Sequence, residues 1–61
     1  MTESLLTDPF LGVAKVAQIF DVSQWTVREW LKNGTLNGSK INGHWKIRES
    51  EVNRLAREMY G

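Results

Sequence analysis

The residues best suited to chemistry lie between Ser23 and Lys46. Gln24, Trp25, Arg28, Glu29 and Lys32 share one polar face of a helical stretch, with Thr26 at its edge. Arginine can pair bidentately with guanine O6 and N7, and glutamine with adenine N6 and N7. Ser23 heads the same stretch, where its hydroxyl and free main-chain amides can hold a phosphate. Lys32, at the far end, suits a phosphate better than a base. Trp25 lies about 200° round the helix from the apolar Val27, on the exposed side, where an aromatic ring usually has a contact to make. A second group, Lys40, Asn42, Gly43, His44 and Lys46, surrounds an Asn-Gly pair. A tight basic hairpin of this kind can follow a phosphate backbone or dip into a minor groove. Plainer roles fit the same residues: a solvated helical face, a Trp25 packed on residues 1–11, an edge strand kept soluble by lysine.

The elements that must position these side chains follow from periodicity. Val13, Val16, Ala17 and Phe20 recur at i, i+3, i+4 and i+7, which predicts a helix over 13–20 with Gly12 as its N-cap. Ile19 flanks this stripe and widens it. Asp21-Val22-Ser23 break the helix. Ser23 is a good N-cap for a second helix over 24–33, and Val22 and Val27 stand at the spacing of a hydrophobic staple. Gly34 suits the left-handed residue past its end. The inward face of that helix is Val27, Trp30 and Leu31.

Two helices joined by about three residues form a helix-turn-helix pattern. Asn42-Gly43 then predicts a hairpin, with Ile41, Trp45 and Ile47 facing the core and Lys40, Asn42, His44 and Lys46 facing water. A lone hairpin is barely stable, so it must pack on the helices. Val52, Leu55, Ala56 and Met59 predict a third helix over 49–59, with Glu49 and Glu51 in its favourable first turn. The expected fold class is α+β, mainly α: a winged helix-turn-helix over residues 11–61. Residues 1–10 precede it as a flexible or lightly docked segment that contains the turn dipeptide Asp8-Pro9.

Composition removes several alternatives. The 61 residues make one domain at most, with a small core. No cysteine is present, so disulfides and zinc–thiolate sites are excluded, and the single histidine leaves almost nothing for a metal site. No cofactor is expected. No nucleophile–base pair or Gly-rich phosphate loop is visible, so a non-enzyme is expected. No apolar run approaches the roughly 18 residues of a membrane span, and the N-terminus does not read as a signal peptide. A cytoplasmic protein is the expectation. Net charge is only +1, but its distribution is uneven. Residues 1–21 carry −2, residues 22–48 carry +4 through Arg28, Lys32, Lys40, Lys46 and Arg48 against Glu29, and residues 49–61 carry −1. A basic middle between acidic ends is the footprint of a polyanion partner.

In order and spacing, residues 11–55 resemble the excisionase-like, MerR-related winged-helix family. The resemblance is carried by Val13-x-x-Val16-Ala17, Val22-Ser23, Thr26-Val27-x-x-Trp30-Leu31, Gly34-Thr35-Leu36 and Lys40-Ile41-Asn42-Gly43-His44-Trp45-Lys46-Ile47. It implies a second helix in the major groove of double-stranded DNA, through Ser23, Gln24, Trp25, Thr26, Arg28 and Lys32. It implies wing contacts from Lys40, Asn42, Gly43, His44 and Lys46. Three positions depart from the family pattern. Asp21 replaces glycine in the inter-helix turn, where Asp tolerates a left-handed backbone better than most residues. Asn37 replaces a frequent proline before the wing. His44 replaces a frequent arginine, which leaves Lys40 and Lys46 as the main wing charges.

No effector domain follows the module in these 61 residues, so the resemblance is to a phage excisionase, with a mycobacteriophage as the expected source. It implies cooperative binding to attachment-site DNA, bending, self-association on DNA, and contact with the phage integrase through the termini. Two other readings stay open: a small phage or plasmid transcription regulator of the same fold, and a protein-interaction adaptor anchored by Trp25.

Overall fold

The computed structural model describes residues 10–61. Along them run β1 (Phe10–Leu11), α1 (Val13–Phe20), α2 (Gln24–Asn33), β2 (Ser39–Ile41), β3 (His44–Arg48) and α3 (Glu49–Tyr60). The winged helix-turn-helix expectation holds: three helices carry a small antiparallel sheet. Of the segment 1–10, expected to be flexible or lightly docked, residues 1–9 lie outside the described residues, and Phe10 forms part of β1.

Apolar stripes from all three helices converge on one core. Val16, Ala17 and Phe20 come from α1, Val27 and Leu31 from α2, and Val52 and Leu55 from α3. Ile47 closes the core from β3, and Leu36 from the α2–β2 connector; both are fully buried. Trp30 is half-buried, its ring set edge-on to Phe20 at 5.3 Å, a favoured aromatic geometry. Two apolar residues of the helices depart from their expected places. Ile19, expected to widen the α1 stripe, is 49% exposed, and Met59, expected on the α3 stripe, is 47% exposed. At that end of α3 it is Tyr60 that reaches back, stacked on Phe20 at 6.1 Å.

The turn between α1 and α2 closes by a Schellman pattern. The Val22 N–H donates to Ala17 O at 3.0 Å and the Asp21 N–H to Gln18 O at 3.3 Å. Asp21 takes the left-handed conformation, φ 58°, that glycine would occupy more easily. The departure from glycine therefore leaves the turn geometry intact. Val22 is half-buried against the cluster that contains Val27, where a staple needs it.

The sheet order is β1-β3-β2. Periodicity does not anticipate β1, because two residues are too few to show a period. Phe10 pairs with Arg48 and Leu11 with Ile47, both antiparallel. The hairpin forms at Asn42-Gly43, with φ of 52° and 80°, both positive as a type I′ turn requires.

That turn also corrects one expected orientation. A two-residue turn pairs the residues on either side of it, so Ile41 pairs with His44 and Lys40 with Trp45. Paired side chains share a face. Ile41 therefore stands with His44 and Lys46, away from Ile47, and is 51% exposed rather than core-facing. Lys40 stands with Trp45 instead, its ammonium 5.9 Å from the indole centroid, while remaining exposed.

Candidate nucleic-acid interface

The recognition face begins with its cap. Ser23 Oγ accepts the Thr26 N–H at 3.1 Å and lies 3.0 Å from Thr26 Oγ1, which ties off one first-turn amide of α2. Gly34 ends the helix at φ 88°. Between these stops, Val27 and Leu31 are buried, which turns Gln24, Trp25, Arg28 and Lys32 outward. Trp25 is 67% exposed, as its angular position requires. Arg28 Nη2 donates to Gln24 Oε1 at 3.5 Å, a long contact that loosely links two of the side chains expected to face bases. Lys32 Nζ lies 3.6 Å from the Glu29 carboxylate, with both side chains in solvent. An exposed pair of this kind contributes little, so Lys32 stays available to a phosphate.

The wing presents a different set. His44 and Lys46 are exposed on β3, and Asn42 and Gly43 form the tip. Helix and wing meet at a cleft of about 320 Å³ lined by Gly12, Val13, Ala14, Arg28, Gly43, His44, Trp45 and Lys46. Of the residues expected to bind DNA, the cleft gathers Arg28, Gly43, His44 and Lys46. Ser23, Gln24, Trp25, Thr26, Lys32, Lys40 and Asn42 are not among its lining. Lys40 is drawn to Trp45 on the opposite sheet face, which sets it apart from Lys46.

The start of α1 is an unforeseen neighbour of the wing. Gly12, Val13 and Ala14 reach the cleft because β1 pairs with β3 immediately before α1 begins. The only sequence signal for this was Gly12, an N-cap without a side-chain acceptor, and no side chain caps α1 in the structure. Arg48 is a second residue that side-chain reasoning placed only within the basic middle. It shares a sheet face with Lys46, with its guanidinium 5.3 Å from the Phe10 ring centroid.

The strongest electrostatic arrangement lies elsewhere, at Glu51 and Arg54 on α3. Arg54 beside Glu51 holds its carboxyl below the usual range, helped by hydrogen bonds from Asn37 and opposed by partial burial. Among the described residues, no helix is long and apolar enough to cross a membrane.

A capped outward helix, a left-handed inter-helix turn and a basic hairpin opening on one cleft define a winged helix-turn-helix DNA-binding module. The chain belongs to the helix-turn-helix domain family, whose model matches residues 10–60. That family includes excisionase-like DNA-binding proteins, and membership supports sequence-specific DNA binding. No curated protein and no solved structure matches the chain.

Proposed function

We propose that the protein is an architectural DNA-binding protein of the excisionase type. In this reading α2 enters the major groove, and Arg28 and Gln24 read base edges with Trp25 and Thr26 alongside them. Ser23 and Lys32 hold flanking phosphates. The wing lies beside the helix, with Gly43 and Asn42 at its tip, His44 and Lys46 toward the backbone on the cleft side, and Lys40 meeting phosphate from the other sheet face. Copies bind adjacent sites on attachment-region DNA, bend it, and direct a phage integrase towards excision without strand chemistry of their own.

The observation that carries this reading is the shared cleft, where Arg28 of the helix stands with His44 and Lys46 of the wing. A helix and a wing that open on one side can grip a groove and its flanking backbone together. The outward Trp25 supports it as well, since an apolar face can meet a thymine methyl.

Gel-shift titration and circular permutation on attachment-region DNA test the proposal. Several successive complexes and a marked bend are expected; one unbent complex per site would overturn the excisionase role. The salt response tests DNA binding itself. With about five basic residues on phosphates, log K falls against log salt with a slope of about −4 to −5. A flat response would favour a protein-interaction adaptor anchored by Trp25.

A further inference from the structure

The wing is joined to the recognition helix by the connector Thr35-Leu36-Asn37-Gly38. None of the residues expected to touch DNA lies on α3, yet α3 holds this connector at two points. Glu51 accepts the Asn37 main-chain N–H at 2.9 Å and the Asn37 side-chain amide at 3.1 Å. Arg54 donates to Thr35 O at 3.0 Å. The same guanidinium donates through Nε and Nη2 to Glu51 and through Nη1 to Glu58 at 2.7 Å, so the two holding groups also fix each other.

The connector is pinned from within as well. Leu36 is fully buried between these two tethers. Gly38 lies so close to its neighbours that a Cβ would stand 2.9 Å from Leu31 Cδ2 and 3.0 Å from Ile47 Cγ1. Leu31 belongs to the recognition helix and Ile47 to the wing, so this segment sets the angle between them. An exposed ion pair along one helix contributes little by itself. Here the pair is shared with main-chain groups of another segment, and losing it unties a tertiary contact.

We propose that Glu51, oriented by Arg54, is a positioning residue for DNA recognition that sets where the wing stands relative to the recognition helix. It acts on DNA only through the wing. With Glu51 in place, Lys46 reaches its phosphate once α2 is seated; without it, α2 still docks and the wing contact is lost. The proposal rests on the reading that helix and wing both touch DNA.

A double-mutant cycle tests it, with binding to the specific site followed by fluorescence anisotropy across a salt series. Circular dichroism checks that each variant is folded. Lys46→Ala should weaken wild-type binding about eightfold at 0.1 M salt, the counterion-release factor for one phosphate, and flatten the salt slope by about 0.9. Glu51→Ala should do the same with no groove residue changed. In the Glu51→Ala background, Lys46→Ala should then cost less than about twofold more, whereas Arg28→Ala should keep its full cost. A merely structural role for Glu51 would leave the cost of Lys46→Ala unchanged, and that result overturns the proposal. If Lys46→Ala leaves wild-type binding intact, the wing is not a DNA contact, and the two-element reading fails together with the proposal. Should Glu51→Ala not fold, Arg54→Ala carries the same cycle. It removes the donor to Thr35 O and the group that orients Glu51, and an unchanged cost of Lys46→Ala in that background overturns the proposal.

Discussion

The recognition helix and the wing are built on opposite terms. The helix holds its own instructions: Ser23 caps it, Gly34 ends it, and Val27 and Leu31 bury one side. The wing is a three-residue strand paired with a five-residue strand, and of those residues only Ile47 is fully buried. Its place comes from elsewhere, from β1 at one edge, from Leu36 and Gly38 beneath, and from Glu51 and Arg54 outside. A domain this small cannot bury enough surface to stabilise a hairpin independently. It concentrates its core on α2 and steers the wing through a few contacts.

The largest way to break this asymmetry is to remove its shared floor. Leu36→Ala should destabilise the whole domain by about 2–5 kcal/mol, because a buried leucine in so small a core leaves a cavity. Denaturant unfolding measures this. A loss confined to the wing, with the helices unfolding as before, would show that the two regions do not share a core. Gly38→Ala comes next. Its methyl would press on Leu31 and Ile47, and overpacking of this kind costs about 1–3 kcal/mol. The accompanying change should be a wing moved relative to α2, seen as altered amide shifts in β2 and β3.

Arg28→Ala attacks the self-contained region instead. Unfolding stability should stay unchanged while specific binding loses about 1–3 kcal/mol and base preference relaxes. Normal binding to the specific site would mean that the outward face of α2 does not read bases. Ser23→Ala removes only the cap and should cost about 1 kcal/mol of stability, read from the unfolding midpoint.

The smallest effect is that of pH. Glu51 has a carboxyl held below its ordinary value of 4.5 by Arg54. Its contribution to stability is fully present above that ordinary value and is lost as pH falls through the depressed one. Thermal unfolding between pH 6 and pH 3 should show this slope, and Glu51→Gln should flatten it. An unchanged slope in Glu51→Gln would mean that other carboxylates carry the acid response.

Local physics made much of the fold legible. The stripe at Val13, Val16, Ala17 and Phe20, the cap at Ser23, the glycine at Gly34 and the turn at Asn42-Gly43 each act within a few residues. Their elements could therefore be read from spacing alone, to within a residue of the observed bounds. The basic middle and the outward face around Arg28 were legible for the same reason. What spacing could not convey was anything settled across the chain. Alternation put Ile41 on the core face, but the parity of a two-residue turn turned it outward with His44. Phe10 and Leu11 became a strand only because β3 offered them an edge. Leu36, in no periodic stripe, became one of the most buried side chains because it lies in the core cluster that the helices and β3 build together.

By itself, then, the sequence determined three helices, one hairpin and a polar outward face on α2, since each depends on hydrogen bonds and side-chain periods that are local. Only the tertiary structure decided how the pieces combine. It set the sheet order, brought the start of α1 to the wing, and tied the connector to α3 through Glu51 and Arg54. Those contacts join residues far apart in the chain, and their geometry exists only once the core has closed.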